Sequence, residues 1–397
     1  MTNPTVVPGI AGLPAWAAPD GAELAAMVRG QLGRPNATVV NWWIEEVDYE
    51  IGTPVTARLT RVRGTARDGE AVLRWSFFVK ELQSFRLWPP YERVSKLVPD
   101  FGRFDGRWRF EADVYESDLH HALPPGLRLP KVYATYEHDD LRTVVWSENV
   151  ETAQVDWDIP RYQRAARLLG QLSARLTRHD LYPETASRVP GEMTRLYVTT
   201  RLEAGAFEDL FADSVWEHPL LEGTGSLRAD LERLAARVPE LLGVLDTLPQ
   251  TFMHGDASPQ NLLVPKDNPQ GFVVIDWTMA GLVAVGYDLG QLLVGHAHAG
   301  LLDAAELPAL HDEIAVAHAQ GLAMDGFPVD LDELRCGFDA QLVIRSAFTA
   351  LPLGRLREPA SDKLADLVES RLALTRYLVD LGLALPDRLT GSQVWRS

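Results

Sequence analysis

The segment from His254 to Asn261 sets an acid, Asp256, and a carboxamide, Asn261, five positions apart, just ahead of an apolar run. A loop of that length can bring both side chains to one side. A second short apolar segment, from Gly271 to Trp277, delivers another acid, Asp276, to its open end. Two carboxylates and an amide oxygen are hard oxygen donors. Such donors suit Mg²⁺, which keeps several waters and binds through one or two carboxylates together with substrate phosphates. The plainer alternative is a capped turn, in which Asp256 caps the next residues and Asn261 satisfies a loop carbonyl. Either residue alone reads more simply that way. The ordered triplet, with apolar strands on each side, points to chemistry.

Three short strands are expected to carry these residues: Thr251–Met253, Leu262–Val264 and Phe272–Ile275. After Asp288 the pattern is helical throughout. It is also helical from 156, where Pro160 can open a helix and apolar residues recur through Leu176. More helices are expected over roughly 190–246. Upstream, Asp20 and Glu23 form a capping-box signature for a helix over 21–33. Residues 35–147 then alternate as β-strands, with Asp68-Gly69 as a hairpin signal and 132–137 paired to 141–146 across a turn. One helix, around 107–123, interrupts them, with Phe110, Val114, Tyr115 and Leu119 on a shared face. The expected organisation is therefore an N-terminal extension with a helix (1–34), a small antiparallel sheet with an inserted helix (35–147), a polar hinge (148–155) and a helical region (156–397).

Of 397 residues, 46% are apolar and 23% charged, which suits a folded protein with a sizeable core. The net charge of -17 argues against nucleic acid as the main partner. A single cysteine, Cys336, excludes a disulfide within the chain and a thiolate zinc site, and fits a reducing cytoplasm. The N-terminus does not read as a signal peptide. The most apolar window, from Val283, holds Asp288, two histidines and four glycines, so no membrane span is expected. The P-loop, the dinucleotide G-x-G-x-x-G, G-x-S-x-G and H-E-x-x-H are all absent. His296 with His298, and His311 with His318, lack a third ligand at metal-binding spacing.

The spacing His254-x-Asp256-x-x-x-x-Asn261, with Asp276 after a short hairpin, matches the catalytic loop and metal-binding acid of kinases. On that match Asp256 is the base that accepts a hydroxyl proton, and Asn261 and Asp276 hold metal. The chain resembles the aminoglycoside phosphotransferase family, within the protein-kinase-like group that includes choline kinases. The likeness rests on the run 254–263, the segment Val273–Trp277 and the segment from Gly286 to Leu293, and it extends loosely over about 40–350 through the order of elements. It implies an α+β, protein-kinase-like bilobal fold, with a small antiparallel-sheet N-lobe and a larger helical C-lobe. It also implies ATP (or GTP) as donor, Mg²⁺, and a small-molecule hydroxyl as acceptor.

The same resemblance calls for a lysine on the phosphates and a glutamate to hold it. Lys80, one of five lysines, ends an apolar strand. Glu111, four before Tyr115, is the better partner match, with Glu116 as the alternative. Gly52 falls where the phosphate-covering loop belongs, a loop that carries three glycines in protein kinases. Thr53 and Thr56 there read first as ordinary strand residues. The hinge offers the Ser147 carbonyl and the Asn149 N–H to the adenine. His254 and Asp288 read as structural, locking or bracing the loop. Other readings of the same residues are a metabolite kinase acting on a sugar, choline or polyol, and a nucleotide-binding pseudokinase without turnover. The acids Glu203, Glu208, Asp209, Asp213 and Glu217 read either as a pocket for a polycationic acceptor or as a solvated helix face.

Overall fold

A computed structural model describes residues 13–49, 51–97 and 101–391. The described residues contain ten strands. In chain order these are β1 Thr38–Glu46, β2 Thr56–Asp68, β3 Ala71–Gln83, β4 Leu127–Arg128 and β5 Val132–Asp139. They continue with β6 Arg142–Glu148, β7 Gln250–Met253, β8 Leu262–Leu263, β9 Phe272–Val274 and β10 Gly281–Ala284. The fold class is α+β, with a small antiparallel sheet in the N-terminal part and a helical C-terminal region. The chain divides into two compact units. One runs to Ser117 and includes Leu129–Ala153; the other holds Asp118–Arg128 and everything from Gln154 on.

The first unit is built on the five-stranded sheet β1-β2-β3-β6-β5, antiparallel throughout. The β2–β3 pair closes at Asp68 opposite Ala71, so the loop residues are Gly69 and Glu70. Gly69 takes φ +60° while Glu70 keeps a negative φ, as a type II′ turn requires. Strand alternation sorts β3 between two faces. Trp75, Phe77 and Val79 point to a core shared with Leu24, Met27 and Val28 of the helix Gly21–Leu32. That helix starts on a complete capping box: Asp20 accepts from the amides of Ala22 and Glu23, and Glu23 accepts from the Asp20 amide. The opposite face carries Leu82 and Val145, covered by Trp108 and Ala112.

The inserted helix is shorter than its apolar spacing suggests. It spans Phe110–Glu116 and stops at Ser117, whose backbone is extended and whose hydroxyl donates to the Val114 carbonyl at 2.8 Å. Leu119 falls in a separate 3₁₀ turn, Asp118–His121. A further short helix, Tyr91–Leu97, lies between the sheet and this segment.

The second unit is mainly helical. Its long helix Ile159–His179 starts on Asp158, which accepts from the Arg161 amide at 3.0 Å, and it buries Tyr162, Leu169, Leu172 and Leu176. Two small sheets sit among the helices: β7 pairs with β10, and β9 pairs antiparallel with β8 and parallel with β4. The sequence pattern did not announce β10, because its four apolar residues merge with the apolar helix Tyr287–His298 that follows. Two stretches, Val198–Ala206 and Val343–Ala347, are π-helical. No helix among the described residues is long and apolar enough to cross a membrane.

Candidate active site

β7 ends at Met253, and the next three residues are fixed from several sides. The Asp288 carboxylate, at the start of the helix Tyr287–His298, accepts from the amides of His254 (3.0 Å) and Gly255 (2.7 Å). His254 is fully buried. Its Nδ1 accepts from the Asp256 amide at 3.1 Å, which leaves Nε2 as the donor to the Ile275 carbonyl at 2.9 Å. Burial lowers the His254 pKa, so the imidazole stays neutral in this tautomer. Its work is to tie the loop to the end of β9. Gly255 takes φ +93°, and a Cβ there would stand 2.3 Å from the Met279 carbonyl oxygen, so only glycine fits.

Asn261 directly precedes β8, and Asp276 follows β9 by two residues. Leu262 pairs with Val274, and the next link outward is the Ile275 amide donating to the Asn261 carbonyl at 3.1 Å. The antiparallel pair therefore delivers Asn261 and Asp276 to the same end. Asn261 Nδ2 donates to the Asp256 carbonyl (2.8 Å) and to Asp256 Oδ2 (3.0 Å). That turns its carboxamide oxygen away from these acceptors. Asp276 takes φ +62°, a left-handed conformation that costs on the order of 1 kcal/mol or more in a residue with a side chain. Thr278 donates its hydroxyl to Asp276 Oδ1 at 3.0 Å. The pKa of Asp256 is raised, with burial the largest cause, the Arg345 charge opposing it and the nearby Asp276 charge adding to it. Three oxygen-bearing side chains thus share one hairpin end, a donor set of the kind Mg²⁺ takes.

Arg345 is the residue that the sequence did not bring forward. Its Nη2 donates to Asp256 Oδ1 at 2.9 Å; its Nη1 donates to the Tyr287 hydroxyl at 2.7 Å and to the Gly255 carbonyl. The guanidinium also lies 5.5 Å from the ring of Tyr287 and 5.6 Å from that of Tyr197. It reaches the loop from the π-helical segment Val343–Ala347. A signal was present: Arg345 is the single charge in the apolar run from Leu342 to Phe348.

In the other unit, Lys80 pairs with Glu111, and Tyr115 donates to the second Glu111 oxygen at 2.7 Å. Both members of the pair are well covered, with side-chain exposures of 13% and 4%. Strand parity explains the contact. Lys80 alternates with Val79, so it faces the side where Ala112 of the Phe110–Glu116 helix packs. Glu116 is engaged elsewhere, with Arg109 at 3.2 Å.

Gly52 lies in the irregular stretch between β1 and β2, where a Cβ would meet open space. Ser147 sits within β6, opposite Phe78 and Val132. Asn149 follows that strand; its side chain donates to the Ser76 hydroxyl (3.0 Å) and accepts from Arg61 (3.3 Å). Among the described residues, Asp118, His120 and His121 bring ligand atoms within 4.8 Å of one another, all three exposed. Neither histidine pair from the helical region belongs to such a group.

A family model described as "Phosphotransferase enzyme family" matches residues 61–327. No curated protein matches the chain. Among solved structures, the GDP complex of wild-type aminoglycoside 2'-phosphotransferase-IIIa is similar at 15% identity, covering 92% of this chain and 99% of that one, with a TM-score of 0.47. An aminoglycoside phosphotransferase from Alicyclobacillus acidocaldarius is similar at 12% identity, covering 89% and 93%, with a TM-score of 0.46. Amicoumacin kinase hAmiN, in complex with AMP-PNP, Ca²⁺ and Ami, is similar at 13% identity, covering 90% and 96%, with a TM-score of 0.45.

Proposed function

The chain belongs to the phosphotransferase enzyme family, and on that premise we propose that it transfers the γ-phosphoryl group of ATP, with Mg²⁺, to a hydroxyl of a small-molecule acceptor. The observation that carries this reading is the Asp256–Asn261 contact at the hairpin end that Asp276 also reaches. In this reading the Asp256 carboxylate orients the acceptor hydroxyl and takes its proton as the new O–P bond forms and the bond to ADP breaks. The carboxamide oxygen of Asn261 and the carboxylate of Asp276 hold the ion; bound there, Mg²⁺ neutralises charge on the transferring phosphates. Lys80, kept in place by Glu111, takes the α- and β-phosphates. Gly52 belongs to the backbone that covers the phosphates, and the Ser147 carbonyl and Asn149 N–H bond the adenine. Phosphoryl transfer asks little else of a protein, since positioning and electrostatics supply most of the rate.

The test is a coupled assay for ADP release from Mg-ATP across aminoglycosides, sugars, polyols and choline. Acceptor-dependent release is expected, abolished in Asp256→Ala while nucleotide binding persists. ATP-dependent thermal stabilisation with no turnover on any acceptor would replace the enzyme by a nucleotide-binding regulator.

A further inference from the structure

We infer that Arg345 is the positioning residue of the acceptor site: it fixes the Asp256 carboxylate and, as a permanent cation one hydrogen bond away, restricts the acceptor to neutral or anionic hydroxyl compounds. The inference rests on the phosphotransferase reading above.

The geometry is specific. Both Asp256 oxygens receive a donor, Oδ1 from Arg345 and Oδ2 from Asn261, so the carboxylate plane is set from two sides. The π-helical turn that carries Arg345 is a feature found often at functional sites. Its guanidinium is held in turn by the Tyr287 hydroxyl and the Gly255 carbonyl, and Tyr197 donates to the Arg345 carbonyl at 2.7 Å. A hydroxyl seated on Asp256 at ~2.7 Å stands within about 6 Å of Arg345 Nη2. An ammonium on the neighbouring carbon of the acceptor would meet a fixed like charge at short range.

Two of the carboxylates nearest Arg345 are already engaged. Asp256 is paired with Arg345, and Asp288 is spent on the His254 and Gly255 amides. Asp276 is assigned to the ion. Of the five acids that could have formed a pocket for a polycation, three are ion-paired: Glu208 and Asp209 with Arg357, and Asp213 with Arg228. A sugar or a polyol brings no charge to set against the Arg345 guanidinium, whereas an ammonium beside the reacting hydroxyl does.

The experiment uses the full chain with Mg-ATP and five probes: kanamycin, glucosamine, glucose, myo-inositol and gluconate. Wild type is expected to turn over a neutral or anionic probe with kcat/KM at least about tenfold above that of the cationic probes. Arg345→Met should lower kcat with little change in the KM for ATP and should collapse that preference, while Arg345→Lys restores the preference but not the full rate. A residue that only braced the fold would lower turnover on all probes equally. Kanamycin as the best acceptor, or an unchanged preference in Arg345→Met, overturns the inference while leaving the phosphotransferase reading intact.

A second measurement does not depend on turnover. In urea unfolding, a cycle of Asp256→Asn, Arg345→Met and the double variant should be non-additive, the double variant being no less stable than Arg345→Met alone. Additive effects overturn the positioning role. Non-additivity without turnover on any probe removes the phosphotransferase reading, and with it the selectivity, and leaves a structural clamp.

Discussion

Asn261 Nδ2 bonds Asp256 twice, at the main-chain carbonyl (2.8 Å) and at Oδ2 (3.0 Å), closing the loop between them into a ring. The base candidate and a metal-ligand candidate thus hold one another before any ligand arrives.

On the proposed reading, replacing Asp276 should raise the Mg²⁺ requirement. Asp276→Asn keeps the volume but loses the charge, and Asn keeps a tolerance for the left-handed backbone found there. Half-maximal Mg²⁺ should rise by about tenfold or more, with kcat falling by at least about a hundredfold. A Mg²⁺ titration of acceptor-dependent ADP release measures both. An unchanged midpoint removes Asp276 from the ion.

Glu111→Gln removes the Glu111 charge from Lys80 in a covered position. The lysine then loses its fixed geometry, and the KM for ATP should rise about tenfold while the KM for the acceptor stays constant. Tyr115→Phe, which deletes only the donor to Glu111, should have a smaller effect in the same direction. If the acceptor KM moves instead, the pair does not serve the nucleotide.

Asp288 accepts from two buried loop amides, so Asp288→Ala strands both. A loss of about 2–5 kcal/mol in urea unfolding is expected, with turnover falling further than stability alone explains. Hydrogen exchange should quicken at His254 and Gly255 before it does in the helix Ile159–His179. Uniform exchange across the unit would contradict a local bracing role.

His318 is 2% exposed and donates from Nδ1 to the Ala166 carbonyl at 3.1 Å. Burial holds its pKa down to about 4, from an ordinary value of 6.5. The unfolded chain therefore takes up this proton first as the pH falls. The stability contributed by the neutral ring is whole above 6.5 and is lost progressively between 6.5 and about 4, by up to about 3 kcal/mol. His318→Gln should flatten the unfolding free energy across that window. An unchanged pH slope in the variant would show that His318 is not the group responsible.

Local chemistry was legible where a few neighbouring residues decide the outcome. Asp20 and Glu23 fix a helix start within one turn, and Gly69 allows one tight turn. Asp256, Asn261 and Asp276 lie close enough in the chain for a single hairpin to gather them. Lys80 and Glu111 were legible only through resemblance, since 31 residues separate them and a strand-to-helix packing must join them. Arg345 was marked only as a lone charge in an apolar run; its partner was not legible, since it meets Asp256 across 89 residues and helical periodicity cannot foresee the wider turn that aims it. The break at Ser117 was hidden for a related reason, because apolar spacing continues through it to Leu119 while the backbone does not.

The wide turn at Val343–Ala347 also bears on how such a protein could diversify. A regular helix advances about 100° per residue, so deleting one residue from that segment would swing everything beyond it by a quarter of a circle. A single codon lost or gained there would withdraw or reinstate the guanidinium, and with it one of the two donors on the Asp256 carboxylate. New acceptors would then arise by indel in a helix far along the gene, a place where alignments centred on the loop would not look.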